Sequence, residues 1–317
     1  MLTYFADFQI FNLKFNELLI SQQSSSSLIQ KLKKEIDGNI ENWSDLELEL
    51  GRYTKKMHTT EEFNEVFDDI EDNLADYLDS VENNFDFKQF DGNELFKYLA
   101  YPENSLPIAD KNKIKTFRNN WKNSQWNINL ITFNYTQVWE KLTKYTGKSL
   151  QINDFVNRNN HPVVFAKMEH IHGYTHQRMV LGVNDVTQVS NIDFQINQDI
   201  TETLIKDECN QAQKHTVDTW CKNQIQSANL ICIFGSSIGD TDNLWWQLIG
   251  EQLKRECNLI IFEKGEIIPP RRPQKGKIAE RNKKNYFLGK TNLNDTEKSV
   301  ASEKIFIGIN TEMFKLT

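Results

Sequence analysis

The chain has 317 residues, a formal net charge of −7 from 37 Lys and Arg against 44 Asp and Glu, and a composition that is 38% hydrophobic and 11% aromatic. At roughly 100–200 residues per domain this is one large domain or two smaller ones, and the aromatic content excludes a disordered chain. The acidic balance is the opposite of the footprint of a nucleic-acid-coating protein, no apolar run approaches the ~18 residues of a membrane span, and Met1 is not followed by a signal-peptide pattern, so a soluble, cytoplasmic protein is expected.

From Phe5 to about Leu99 apolar residues recur every three or four positions, as in Phe8, Phe11, Phe15, Leu18 and Leu19 and again in Phe63, Val66, Phe67, Ile70, Leu74, Tyr77 and Leu78, which predicts helices. The polar run from Gln22 to Ser27 suits a break between two of them. Thr59, Thr60 and Glu62 open the second helical stretch, with acids in its first turn. Tyr101 to Pro107 carries stronger turn punctuation, and beyond it the pattern changes.

After Trp126 come short apolar, β-branched runs at Ile128 to Phe133, Val163 to Phe165, Met179 to Val183, Leu230 to Phe234, Leu259 to Phe262 and Ile305 to Ile309. Helical stretches separate them, including Thr136 to Tyr145, Thr201 to Gln226 and Asp242 to Arg255. The alternation predicts an α/β fold with a mainly parallel sheet covered on both faces. Residues 1–120 read as a helical portion packing on or capping a Rossmann-like core over 121–317. The basic stretch Arg271, Arg272, Lys275, Lys277, Arg281, Lys283 and Lys284 reads as a solvated, mobile excursion between the last two strands rather than a nucleic-acid contact. Cys209, Cys221, Cys232 and Cys257 lack a CxxC spacing and read as reduced packing residues.

Ligands of parallel sheets collect where strands end and helices begin, which draws attention to three places. In Ile131-Thr132-Phe133-Asn134-Tyr135-Thr136 an amide follows a buried strand; it can bind ribose hydroxyls, orient water, or simply cap the next helix. In His170-Ile171-His172-Gly173 both histidines fall on one side if the segment is extended, and the glycine permits close approach of a ligand. His176 raises a metal site, but no carboxylate or thiol completes a ligand set in the sequence, and no metal is expected. The third place, Ile231 to Asp242, is a buried strand, a small polar loop with Gly235, Ser236 and Ser237, and a helix start where Asp240 or Asp242 can act as cap. Gly147-Lys148-Ser149 and Gly289-Lys290-Thr291 only end like a phosphate loop, and no GxSxG elbow is present.

Taken in order, the ITFNYT of residues 131–136, the HIHG of 170–173, the LGV of 181–183 and the FGSSIGDTD of 234–242 resemble the AbiH family of bacterial abortive-infection proteins. Trp43-Ser44-Asp45-Leu46-Glu47 and the segment from Ile305 to Phe314 extend the resemblance along nearly the whole chain. That family is in turn similar to sirtuin-like NAD-consuming defence domains. The resemblance implies Asn134 positioning the ribose or the attacking water and His172 acting as base or orienting a ribose hydroxyl. It also implies Thr132, Gly173, Gly235, Ser236, Ser237, Asp240 and Asp242 about the nucleotide.

The implied chemistry is hydrolysis of an N-glycosidic bond, with NAD as substrate rather than cofactor, in an effector of phage defence that answers a phage-derived trigger; a homo-oligomer is left open. Chains of this kind begin with an apolar strand and a glycine-rich loop, whereas the first glycine here is Gly38 and Met1 to Phe8 resembles the segment just downstream of such a loop. The expectation is therefore a truncated start or a lost core strand. A nucleotide-binding sensor without turnover and a nuclease-like effector are the competing readings.

Overall fold

The computed structural model describes residues 1–6, 43–89, 91–148 and 150–312; the helices expected around Phe8 to Leu19, the Gln22 to Ser27 break and the end of the Ile305 to Phe314 match lie outside them. The described residues contain a seven-stranded sheet formed by β1 (Leu2–Ala6), β2 (Trp126–Thr132), β3 (Leu150–Val156), β4 (Pro162–His170), β5 (Leu230–Phe234), β6 (Asn258–Glu263) and β7 (Ile305–Ile309). Its order is β3-β4-β2-β1-β5-β6-β7, and every pairing is parallel except the edge pair β3 and β4.

The expected loss of a core strand is corrected here. Leu2–Ala6 is the central strand, with Tyr4 in register with Leu130 of β2 on one side and Cys232 of β5 on the other. A five-residue run interrupted by Thr3 reads weakly beside long helical periodicity, yet a parallel strand flanked on both sides needs no polar alternation.

Alternation along each strand divides the interior into two cores. Ile128, Leu130, Leu230, Cys232, Phe234, Ile260 and Phe262 point into one, where they meet α1 (Trp43–Tyr53), α2 (Thr60–Asn84), α3 (Gly92–Ala100), α4 (Ile108–Arg118) and α5 (Val138–Thr143). Ile131, Ile231, Ile233, Leu259, Ile261 and Ile307 point into the other. The second core is closed by α9 (Val217–Ser227), α10 (Asn243–Leu253), α11 (Pro273–Gly289) and α12 (Asp295–Ser302). Helices thus cover both faces, as the period-two burial of the strands requires.

Local chemistry sets several boundaries. Thr59 caps α2 by accepting the Glu62 backbone N–H at 3.1 Å, where the sequence puts the helix start. The helix expected over Thr201 to Gln226 is instead α7 (Gln198–Leu204), α8 (Lys206–Ala212) and α9, after a short α6 (Ile192–Gln195). The strand expected at Met179 to Val183 is no sheet strand; Val183 makes only an isolated bridge to Ile205. Much of the basic excursion is the helix α11, which packs Phe287 and Leu288 into the second core. Among the described residues no helix is long and apolar enough to cross a membrane.

Candidate functional site

The chain lays β2 and β4 on one side of β1 and then crosses to place β5, β6 and β7 on the other, so the direction of winding reverses at β1. In open α/β sheets the crevice outside the carboxyl ends of the strands at such a reversal is where ligands bind. Asn134, His172 and Gly235 follow β2, β4 and β5 at that edge. Thr132 and His170 are paired in register, so Asn134 and His172 each stand two residues beyond one rung of the ladder.

Asn134 does not cap α5, whose N-cap is Gln137. Its backbone N–H donates to Thr132 Oγ1 at 3.1 Å, its carbonyl lies 2.7 Å from His170 Nδ1, and its side-chain Nδ2 is buried without a hydrogen-bond partner. An unmet buried donor costs ~1–3 kcal/mol and is a feature that a ligand oxygen would relieve.

The two histidines of the HIHG segment have separate partners. His170 ends β4 and is held from both ring nitrogens, with Nε2 2.9 Å from Glu140. His172 lies in the following turn, 3% exposed, with Nε2 2.9 Å from Asp242 Oδ1 and its ring beside Phe133 and Tyr135. His176 pairs with Asp79, so three nearby histidines turn to three different carboxylates.

Asp242 carries the centre of a buried network. It occupies the N-cap position of α10, yet its side chain makes no capping bond there. Its Oδ1 instead takes His172 Nε2 and Lys206 Nζ, both at 2.9 Å, and Lys206 Nζ also donates to Glu47 Oε2 at 2.8 Å. Burial alone would raise the Asp242 carboxyl, but Lys206 and His172 hold it well below the usual carboxylate range. Glu47 is pushed up to about 7 by burial, against the pull of Lys206. Burial opposes the charge on Lys206 too, and the two carboxylates more than restore it.

Burial, joined by the Lys206 cation, lowers His172 to about 4 despite the neighbouring Asp242. The imidazole is therefore neutral near pH 7. A carboxylate can only accept, so the one ring proton sits on Nε2 and Nδ1 keeps its lone pair. That Nδ1 is buried without a hydrogen-bond partner. A neutral histidine oriented by aspartate, with its second nitrogen unoccupied, can accept a proton there, although burial makes it a weaker base than free imidazole.

Lys206 reaches the network because 180–183 is pressed against the start of α8. The Lys206 N–H donates to the Val183 carbonyl, Gly182 N–H donates to Glu47 Oε1, and a Cβ at Gly182 would lie 2.0 Å from the Leu204 carbonyl oxygen. Gly173 has a comparable local reason: φ is +71° and a Cβ would meet the Arg178 carbonyl oxygen at 1.8 Å, so its missing side chain admits this chain's own backbone.

The loop after β5 opens with Gly235 at φ +73° and carries buried Ile238 at φ +58°, a conformation that β-branched residues rarely adopt. Ser236 Oγ accepts the Ile238 N–H at 3.2 Å. Ser236 and Ser237 line a cleft of about 680 Å³, while Asp240 is turned outward to Lys290. Of the residues singled out from sequence, the structure thus joins His172 directly to Asp242 and sets Asn134 at the neighbouring strand end. Glu47 and Lys206 were missed. Glu47 lay in the WSDLE segment, whereas Lys206 sits in a polar helical run with no motif about it.

A family model described as "Bacteriophage abortive infection AbiH" matches residues 1–263. No curated protein matches the chain. No solved structure matches it either.

Proposed function

The chain belongs to the bacteriophage abortive infection AbiH family, and from that premise we propose that it acts in phage defence by hydrolysing the N-glycosidic bond of NAD or a related nucleotide. The observation that carries this reading is the placing of His172, fixed through Nε2 to Asp242 and left with an unpartnered Nδ1 at the carboxyl edge of the sheet. The Rossmann-like, sirtuin-like view of the fold belongs to the same proposal; the reversal of winding at β1 and the helices on both faces support it.

In this mechanism the C1′–N bond of the nicotinamide riboside breaks as a water oxygen bonds to C1′. The water proton passes to His172 Nδ1, and nicotinamide leaves neutral. Asn134 Nδ2 donates to the attacking water or to a ribose hydroxyl, which would satisfy a donor that is otherwise unpaired. Asp242 stabilises the imidazolium formed, and Lys206 with Glu47 holds Asp242 in place. Thr132 fixes the backbone of Asn134, and the loop from Gly235 to Ser237 faces the rest of the nucleotide.

The second reading is nucleotide binding without turnover, favoured by the lack of any glycine between Met1 and Gly38, the stretch that includes and succeeds β1. A chromatographic time course of NAD with wild type and His172→Ala separates the two. Nicotinamide and ADP-ribose released by the wild type and not by the variant support hydrolysis. Saturable NAD binding with no product in phage-infected as well as uninfected extracts supports the binding module.

A further inference from the structure

The cleft beside Ser236 and Ser237 lies at the carboxyl ends of β5, β6 and β7 and is closed on its far side by the basic helix α11. Its volume of about 680 Å³ falls in the roughly 300–1,000 Å³ range of small-molecule sites. The elements around it form one β-loop-helix-β unit. Strand β5 is followed by the positive-φ Gly235, α10 follows the loop, and β6 ends in Glu263, which lines the cleft. In mononucleotide-binding units of this build, an acid closing the second strand accepts hydrogen bonds from ribose hydroxyls.

The walls are tied to each other. Tyr286 of α11 donates its hydroxyl to the Ile238 carbonyl, Lys290 pairs with Asp240, and Lys283 pairs with Glu263 at 2.6 Å. The Asn310 N–H after β7 donates to the Glu263 carbonyl, and Asn310 Oδ1 accepts the Gly265 N–H. The lining mixes the apolar Ile267, Ile268 and Ile309 with Glu263, the two serines and Lys275 of α11. That is an apolar bed for a base, an acceptor for hydroxyls and a cation for phosphate. The same loop that lines the cleft with Ser236 and Ser237 carries Asp242 to His172 at its other end.

The geometry points to a ribonucleotide subsite in this cleft: Glu263 accepts from the 2′- and 3′-hydroxyls of a nucleoside 5′-phosphate, and Lys275 faces the phosphate. The inference deepens the proposed function and rests on its reading of the edge as a nucleotide site. It assigns the basic helix a role in the site, and it makes Glu263 select a free 2′-hydroxyl, because a 2′-phosphate would meet its carboxylate with like charge.

Calorimetric titration of the full chain with AMP, 2′-deoxy-AMP and adenosine 2′,5′-bisphosphate tests this without any variant. AMP is expected to bind, with the deoxy and 2′-phosphorylated probes at least about tenfold weaker, a difference of ~1.4 kcal/mol. Glu263→Gln, folded by its melting curve, is expected to lose the same factor for AMP, and His172→Ala to keep AMP affinity. Failure of AMP to bind, or equal binding of all three probes, overturns the subsite. NAD turnover lost in His172→Ala without AMP binding would overturn the cleft alone. AMP binding that depends on Glu263, with no NAD turnover in phage-infected as well as uninfected extracts, would support the cleft and overturn hydrolysis.

Discussion

His172 Nε2 and Asp242 Oδ1 meet at 2.9 Å across 70 residues of sequence, and the contact withdraws Asp242 from the helix cap that its position offers. An amide in place of the carboxylate keeps the shape but no longer requires the ring proton on Nε2, and it leaves an imidazolium without its counter-charge. Asp242→Asn is expected to lower the proposed NAD hydrolysis by roughly 100-fold or more. Initial rates on protein shown by circular dichroism to be folded decide it. A rate equal to wild type would remove the pair from the chemistry.

Lys206 bridges two carboxylates, the buried Glu47 and the partly buried Asp242. Lys206→Met leaves the buried Glu47 without its counter-charge and Asp242 with His172 as its remaining partner. Breaking a buried pair in this way costs ~3–5 kcal/mol, whereas removing charge from both sides costs less. Urea unfolding is expected to show that loss for Lys206→Met and partial recovery in the double variant with Glu47→Gln. Additive losses in the double variant would mean that the two side chains do not interact energetically.

The strands at Leu230 and Ile305 and the start of α2 at Thr59 were legible in the sequence because a fully apolar run and a capping threonine are local signals. The place of Asn134 and His172 at the sheet edge was legible for a related reason, since both follow the apolar runs of strands that end there. Lys206 was not, since it owes its place to a backbone contact between Gly182 and Leu204 that links two distant segments. The central strand β1 escaped notice because its neighbours β2 and β5 lie more than a hundred residues downstream, and only their pairing turns a five-residue run into a core element.

Gly173 offers a test of the turn that presents His172. Its left-handed φ and the Arg178 carbonyl oxygen 1.8 Å from a would-be Cβ mean that alanine requires the backbone to move. Gly173→Ala is expected to destabilise the fold by more than ~1 kcal/mol, the cost of an incompatible φ before any clash is counted. Because the turn also sets the ring of His172, the proposed hydrolysis should fall further than the folded fraction does. A melting temperature and a rate both unchanged would show that the turn tolerates a side chain.

Glu47 and His172 make opposite contributions to the pH dependence of stability. The folded His172 stays neutral down to about 4 while its unfolded counterpart takes up a proton near 6.5, so its contribution is complete above that pH and is lost as pH falls from about 6.5 to 4. Glu47 is raised to about 7 from 4.5, so the folded state holds the extra proton, and that contribution is lost as pH rises from about 4.5 to 7. Between pH 4.5 and 6.5 the two slopes oppose each other. Glu47→Gln removes one and keeps the other. Relative to wild type, its unfolding free energy should therefore climb with pH across that window, by up to ~1.4 kcal/mol per unit. Other titrating groups shared by the two proteins cancel in the difference. Urea midpoints for both at pH 5, 6 and 7 give the slope directly, and a difference that stays flat would mean that Glu47 is already ionised in the fold at pH 5.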